Sequence, residues 1–276
     1  MFKEEESDVI VFGVPLGKFS NEELEAIREA SWFVEPYDVD RRINLLENVR
    51  VFDSGNIKLK SLDDITEMTN HILEKNKIPL MLGGNHLSSL FALKAFPKDM
   101  KIITFDAHSD LKFDYIDEKL VEMGTVGKKK MVDSKVNDST WLRRHCEHGE
   151  PRNVMSIGMR SADEDDVEFA KESGLAFYTS EDIRNRMDEI KQMVNQFTNQ
   201  SNVYVSLDID VFDPGIAPAV DYPEPAGIDF NEFKKLINSI EGKIVGLDVC
   251  CLKPIKNNQI TEFLAVKSIF EILGKI

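Results

Sequence analysis

Four short stretches of this chain carry side chains that ligate metals. They are Gly83-Gly84-Asn85-His86, Asp106-Ala107-His108-Ser109-Asp110, Ser206-Leu207-Asp208-Ile209-Asp210, and Asp213-Pro214 just beyond the third. Asp208 and Asp210 are spaced i, i+2 at the end of an apolar run, which puts both carboxylates on one face of a strand. Asp106, His108 and Asp110 repeat that spacing at the end of another run. His86 follows two glycines, which let backbone come close to a site. Six such side chains suit two divalent cations on the order of 3.5–4 Å apart, bridged by two carboxylates. Oxygen-rich ligation with some imidazole favours manganese over zinc and needs no thiolate. Each fragment alone is ordinary, because Asp-X-Asp is often a loop or a cap. All of them in order, each after a strand, predict a metal site.

The elements that must position these residues are legible as alternation. Apolar runs of strand length occur at Val9–Phe12, Ile78–Leu82, Lys101–Phe105, Val154–Ile157, Leu175–Tyr178, Val203–Leu207 and Ile244–Val249, with a weaker one at Val49–Phe52. Their near-continuous apolarity suits parallel strands covered on both faces. Helical patterns fill the gaps: from Glu22 with Asn21 as cap, from Ser61, and over Asp163–Lys171, Ser180–Phe197, Asp229–Ile240 and Thr261–Leu273. The expectation is one α/β domain over residues 1–276, with a mostly parallel sheet of about eight strands. Two long irregular stretches, from Asp110 to about Asn153 and from Asp208 to Asp229, follow metal-motif strands at the carboxyl ends where open α/β sheets bind ligands. The first contains the basic run Lys128-Lys129-Lys130, read as a solvated loop, and a short helix around Trp141.

Composition narrows the class. The chain has 276 residues, 42% of them hydrophobic, with 34 Lys plus Arg against 49 Asp plus Glu, a formal charge of −15. Such an acidic surface disfavours nucleic acid and is compatible with a small cationic substrate, whose encounter rate an acidic cleft can raise. No apolar run approaches the length of a membrane span. The acidic start Met1-Phe2-Lys3-Glu4-Glu5-Glu6 lacks the form of a signal peptide. Three cysteines, Cys146, Cys250 and Cys251, do not make a disulfide framework, so a cytoplasmic protein is expected.

On these motifs the chain resembles the ureohydrolase family of arginases, agmatinases and formimidoylglutamases. The family patterns Gly-Gly-Asp-His, Asp-Ala-His-X-Asp and Ser-X-Asp-X-Asp-X-X-Asp-Pro stand here as Gly83–His86, Asp106–Asp110 and Ser206–Pro214. Further matches are Gly13-Val14-Pro15, Gly158-Met159-Arg160, Ala217-Pro218 and Pro223-Glu224-Pro225. The resemblance implies a three-layer α/β/α domain with an eight-stranded, mostly parallel sheet, and a homo-oligomer, trimeric or hexameric. It implies two manganese ions per subunit, one on His86, Asp106, Asp110 and Asp208, the other on Asp106, His108, Asp208 and Asp210. The implied reaction is hydrolysis of a guanidinium to urea and an amine, with Asp110 carrying the proton to the leaving amine. Pro223-Glu224-Pro225 and the small apolar residues Ile216, Ala217, Ala219 and Val220 resemble the agmatinase branch. The expected substrate is therefore agmatine, cleaved to putrescine and urea in polyamine biosynthesis.

Three departures bear on that expectation. The family has a proton-shuttling His before Gly-Thr, where this chain has Met123 before Gly124-Thr125. Losing such a group typically costs roughly 10²–10⁴-fold in rate. The family's guanidinium-gripping Glu is replaced by Cys251, which removes a charge-assisted hydrogen bond worth about 1.5–3 kcal/mol. Asn85 replaces an Asp, a change beside the ligands that should not cost the metals. Met123, Gly124, Thr125, Glu224 and Cys251 are the expected substrate-binding positions. Glu122, His145 and His148 are within sequence reach as substitute proton carriers, but the two histidines read better as exposed loop or helix residues and Glu122 points elsewhere if its segment is extended; Cys251 reads best as an inert thiol. The alternatives to agmatine hydrolysis are another C–N bond on the same scaffold, formimidoyl or guanidino, and a metal-binding relative without catalysis.

Overall fold

The computed structural model describes residues 2–16, 21–115 and 135–276, the side chains of residues 22 and 23 aside. Eight strands form one sheet: β1 (Val9–Gly13), β4 (Val51–Asn56), β5 (Ile78–Leu82), β6 (Lys101–Phe105), β7 (Val154–Met159), β8 (Ala176–Thr179), β9 (Asn202–Asp208) and β10 (Lys243–Cys250). Their order is β4-β1-β5-β10-β9-β6-β7-β8. Every adjacent pair is parallel. A separate two-residue antiparallel ribbon joins β2 (Tyr37–Asp38) to β3 (Ile43–Asn44).

Among the described residues the α-helices are α1 (Asn21–Ser31), α2 (Asp63–Glu74), α3 (Leu87–Leu93), α4 (Trp141–His148), α5 (Glu164–Ser173), α6 (Ser180–Thr198), α7 (Phe230–Asn238) and α8 (Ile260–Leu273). Strand periodicity sorts the core into two layers. Val9, Val11, Leu80, Leu82, Ile103, Phe105, Val205, Leu207, Leu247 and Val249 pack toward α1, α6, α7 and α8. Ile10, Phe12, Met81, Ile102 and Tyr204 pack with α2, α3, α4 and α5 on the other face. Both faces are covered, which is why the strands read as continuous apolar runs rather than alternating ones.

Some sequence expectations shift. The weak strand at 49–52 lies at Val51–Asn56, on the sheet edge. Its polar tail is held by tertiary contacts: Arg28 bonds Asp53 and Asn56, both at 2.6 Å, and Ser54 Oγ donates to Val11 O. Ser61 does not cap α2 with its side chain. Asp64 instead reaches back to the amides of Lys60 and Ser61. Asn21 is the first residue of α1 rather than its cap. Helix α3 is absent from the sequence reading because all seven of its residues are buried, so it carries no amphipathic period.

Candidate metal centre

The carboxyl ends of four neighbouring strands, β5, β10, β9 and β6, converge on the face covered by α3 and α4. Each delivers part of the candidate cluster. After β5 the chain passes Gly83 and Gly84, and a Cβ on Gly84 would lie 2.1 Å from Leu16 O, so only glycine fits this approach. The turn brings His86 to the start of α3, where it is 1% exposed. Asp106 follows β6 directly, Asp208 closes β9, and Asp210 lies in the single 3-10 turn beyond it. Asp110 sits at φ +51, in the left-handed region that short polar side chains tolerate.

These six side chains meet. His86 Nδ1 lies 2.8 Å from Asp106 Oδ2, 3.2 Å from Asp110 Oδ2 and 3.4 Å from Asp208 Oδ2. His108 Nδ1 lies 2.9 Å from Asp210 Oδ2 and 3.7 Å from Asp106 Oδ1. Asp106 therefore turns one oxygen toward each imidazole. Backbone amides aim the carboxylates: Asp106 Oδ1 accepts from His108 N, Asp208 Oδ1 from Asp210 N, and Asp210 Oδ1 from Ala107 N.

The donor set fits a pair of cations. Among the described residues, buried His86 Nδ1 has no hydrogen bond of acceptable geometry, although three carboxylate oxygens lie within 3.4 Å. A lone pair aimed with carboxylates at a common point, rather than at any one of them, is how metal ligands are arranged. The other ring nitrogen, Nε2, is 3.0 Å from Ser206 Oγ, and Ser206 Oγ donates to Asp248, which also accepts from Tyr204. That chain fixes the ring, as partners of ligating histidines do.

Charge makes the same point. Four carboxylates are buried against two imidazoles, a balance only protons or cations can restore. Burial and the Asp106 charge push the Asp110 carboxyl up to about 7. Burial, then Asp210 and Asp106, hold Asp208 well above the usual carboxylate range, and burial with Asp106 raises Asp210. Burial opposes the ionisation of Asp106, yet the His108 and His86 imidazoles beside it hold its carboxyl below that range. Burial alone would lower His108, but Asp106 and Asp210 outweigh it and raise the imidazole to about 12. His86 is likewise raised against the effect of burial, by Cys250, Asp106 and Asp110. Protons shared in this way are the ones that divalent cations displace.

Among the substrate-side expectations, Glu224 lies beside the cluster, its Oε1 3.9 Å from His108 Nε2. Arg160 fastens that segment by donating to the carbonyls of Asp210, Phe212, Glu224 and Pro225. Tyr222 faces the His108 ring with centroids 6.3 Å apart. Cys251 takes φ +65 and its amide donates to Gly84 O, which ties the end of β10 to the glycine turn. Contact with the Cys250 thiol, then burial, hold the Cys251 thiol well above its usual range, in keeping with an unreactive sulfur. Glu122, Met123, Gly124, Thr125 and Lys128–Lys130 lie outside the described residues. His145 and His148 stand in the last turn of α4, with His148 exposed.

Two contributors carry no motif. Trp141 is fully buried; its Nε1 donates to Asp110 Oδ2 at 2.6 Å and its ring lies 4.5 Å from that of His86. The available signal was a rare Trp, one of two, inside a long irregular stretch that follows a metal motif. The other is Cys250, whose thiol shares a ligand-sized space with His86 and Asp208.

A fully parallel α/β/α sandwich with a His–Asp cluster at its central strand ends is a hydrolase scaffold of the arginase type. The arginase family model matches residues 7–274. The agmatinase of Bacillus anthracis is 33% identical over 290 residues, an alignment covering 98% of this chain and 92% of that protein. The solved structure of the agmatine ureohydrolase of Thermoplasma volcanium superposes with a TM-score of 0.81 at 28% identity, over 98% of this chain and 90% of that one. The arginase of Bacillus caldovelox shares the fold, with a TM-score of 0.75 at 20% identity over 98% of this chain and 99% of that one. The chain belongs to the arginase family and is a ureohydrolase-type hydrolase.

Proposed function

We propose that this chain is a binuclear manganese hydrolase that cleaves agmatine to putrescine and urea. The observation that carries the metal reading is the unpartnered His86 Nδ1 among three carboxylate oxygens. The relatives named agmatinase carry the substrate class. His86, Asp106, Asp110 and Asp208 would hold one ion; Asp106, His108, Asp208 and Asp210 would hold the other. When bound, the pair supplies a nucleophilic water at neutral pH and positive charge where negative charge develops.

The chain's own residues do the rest. Trp141 Nε1 holds Asp110 Oδ2, which leaves Oδ1 to take the proton of the attacking water and hand it to the leaving nitrogen. The water's oxygen bonds to the guanidinium carbon, the C–N bond to the alkyl amine breaks, and the proton ends on that amine. Glu224, beside His108, supplies negative charge at the mouth for a cationic substrate.

One observation favours a second reading on the same scaffold. Cys251 stands where the family's guanidinium grip is a Glu, so a formimidoyl or other C–N substrate fits a site that has lost that charge. Urea release from agmatine, with arginine and a formimidoyl compound beside it, on protein shown to hold two manganese ions, separates the readings. Turnover of agmatine alone supports the first; turnover of the formimidoyl compound alone replaces it with the second.

A further inference from the structure

We propose that the Cys250 thiolate ligates the cation held by His86, so that the manganese centre proposed above has a mixed His/Asp/Cys donor set and a raised affinity for softer divalent ions. The inference rests on the metal reading above. Strand register supplies the first support. Cys250 is the direct partner of Asp208 across β10 and β9, and Asp248 is the partner of Ser206 one step earlier. Directly paired residues of neighbouring strands project to the same side of a sheet. Cys250 therefore stands beside Asp208, above the Ser206–Asp248 pair that holds the far side of the His86 ring.

Proximity supplies the second. One ligand atom each from His86, Asp208 and Cys250 lies within 4.8 Å of the others, and all three residues are buried. The third support is His86 Nδ1, which is aimed into this cluster without a hydrogen-bond partner. The sulfur itself touches the Cys251 thiol and otherwise makes only a long contact. Its contact to Leu207 O is 3.7 Å, and Cys250 is 1% exposed, so water does not compete for it. Cys251 is adjacent and its thiol contacts that of Cys250, but it lies past the end of β10 with a left-handed backbone in the turn bonded to Gly84, and it belongs to none of the ligand-type groups among the described residues. Thiolate among carboxylates and imidazole shifts preference toward zinc, cobalt and iron(II). Ligation releases the Cys250 proton to solvent and moves no electrons.

The test is cobalt(II) loading of the full, metal-stripped chain, followed by absorption spectroscopy. Visible d–d bands report occupancy; a near-ultraviolet thiolate-to-cobalt charge-transfer band reports sulfur ligation. The expected result is both features in the native protein, with loss of the charge-transfer band in Cys250→Ser and its retention in Cys251→Ser and Cys146→Ser. The zinc-over-manganese affinity ratio should also fall by about tenfold or more in Cys250→Ser. Should that variant not fold, X-ray absorption of the zinc-loaded native protein decides, since ligation requires a sulfur shell at about 2.3 Å. Bound cobalt without the charge-transfer band, or a band that follows Cys251, overturns the thiolate assignment and leaves the metal reading standing. Failure to bind cobalt, zinc or manganese at all removes both.

Discussion

At the scale of single residues, the candidate centre depends on what surrounds its His and Asp side chains as much as on those side chains. Trp141 is the clearest case, because its indole both donates to Asp110 and packs on His86. Trp141→Phe keeps the ring and removes the donor. It should weaken metal affinity, or lower turnover, by about tenfold, as loss of a group that orients a ligand typically does, beside a stability loss of roughly 1–3 kcal/mol from the cavity and the orphaned Asp110 oxygen. Calorimetric metal titration beside steady-state rates checks this; unchanged values for both would mean the indole only fills space. Cys251 and Met123 mark the opposite situation, two places where the chain departs from the family pattern. If they limit guanidine chemistry, the double variant Met123→His with Cys251→Glu should raise kcat/KM on agmatine by about 10²-fold or more. A formimidoyl substrate should gain nothing from the same change.

At the scale of elements, β7 passes behind the centre through Gly158. This residue has φ +101, and a Cβ there would meet Val211 Cγ2 at 2.4 Å and Asp106 O at 3.3 Å. Gly158→Ala combines backbone strain with a clash against the segment that carries Asp210. It should destabilise the fold by roughly 1–3 kcal/mol, read as a lower denaturation midpoint. A midpoint equal to that of the native protein would show that β7 and the turn after β9 yield freely.

At the scale of the whole molecule, the outer layer is fastened by a charged junction. Asp38 of β2 is buried and accepts from Arg41 and from Lys234 of α7, while Arg41 also pairs with Glu271 of α8. Asp38→Asn leaves two cations short of a partner. Because Arg41 and Lys234 keep some solvent contact, the expected loss is about 2–3 kcal/mol rather than that of a sealed pair. A thermal or urea midpoint measures it. Stability should also depend on pH through His145. Burial, and then the nearby His148 charge, lower its imidazole to about 4 from an ordinary 6.5. As pH falls below 6.5 the unfolded chain takes up a proton there and the folded one does not, until pH reaches about 4. Stability is therefore full above this window and declines through it, by on the order of 2 kcal/mol. His145→Gln should flatten that acid slope; an unchanged slope would place the titration elsewhere.

Sequence by itself determined the elements whose cause is local or periodic. The strands before Asp106 and Asp208 were legible because apolar runs of their length bury on both faces, and the i, i+2 carboxylates because strand side chains alternate. The all-buried helix α3 was not legible, since a helix without a polar face has no period. Strand order, and hence the neighbourhood of β5, β10, β9 and β6, was decided only by tertiary packing, because parallel crossovers leave no mark of which strands they set side by side. For the same reason Trp141, and the Cys250 thiol proposed as a ligand, carry no mark in the sequence. Their roles come from through-space approach to His86, and neither stands within 50 residues of it in the chain, where spacing could show it.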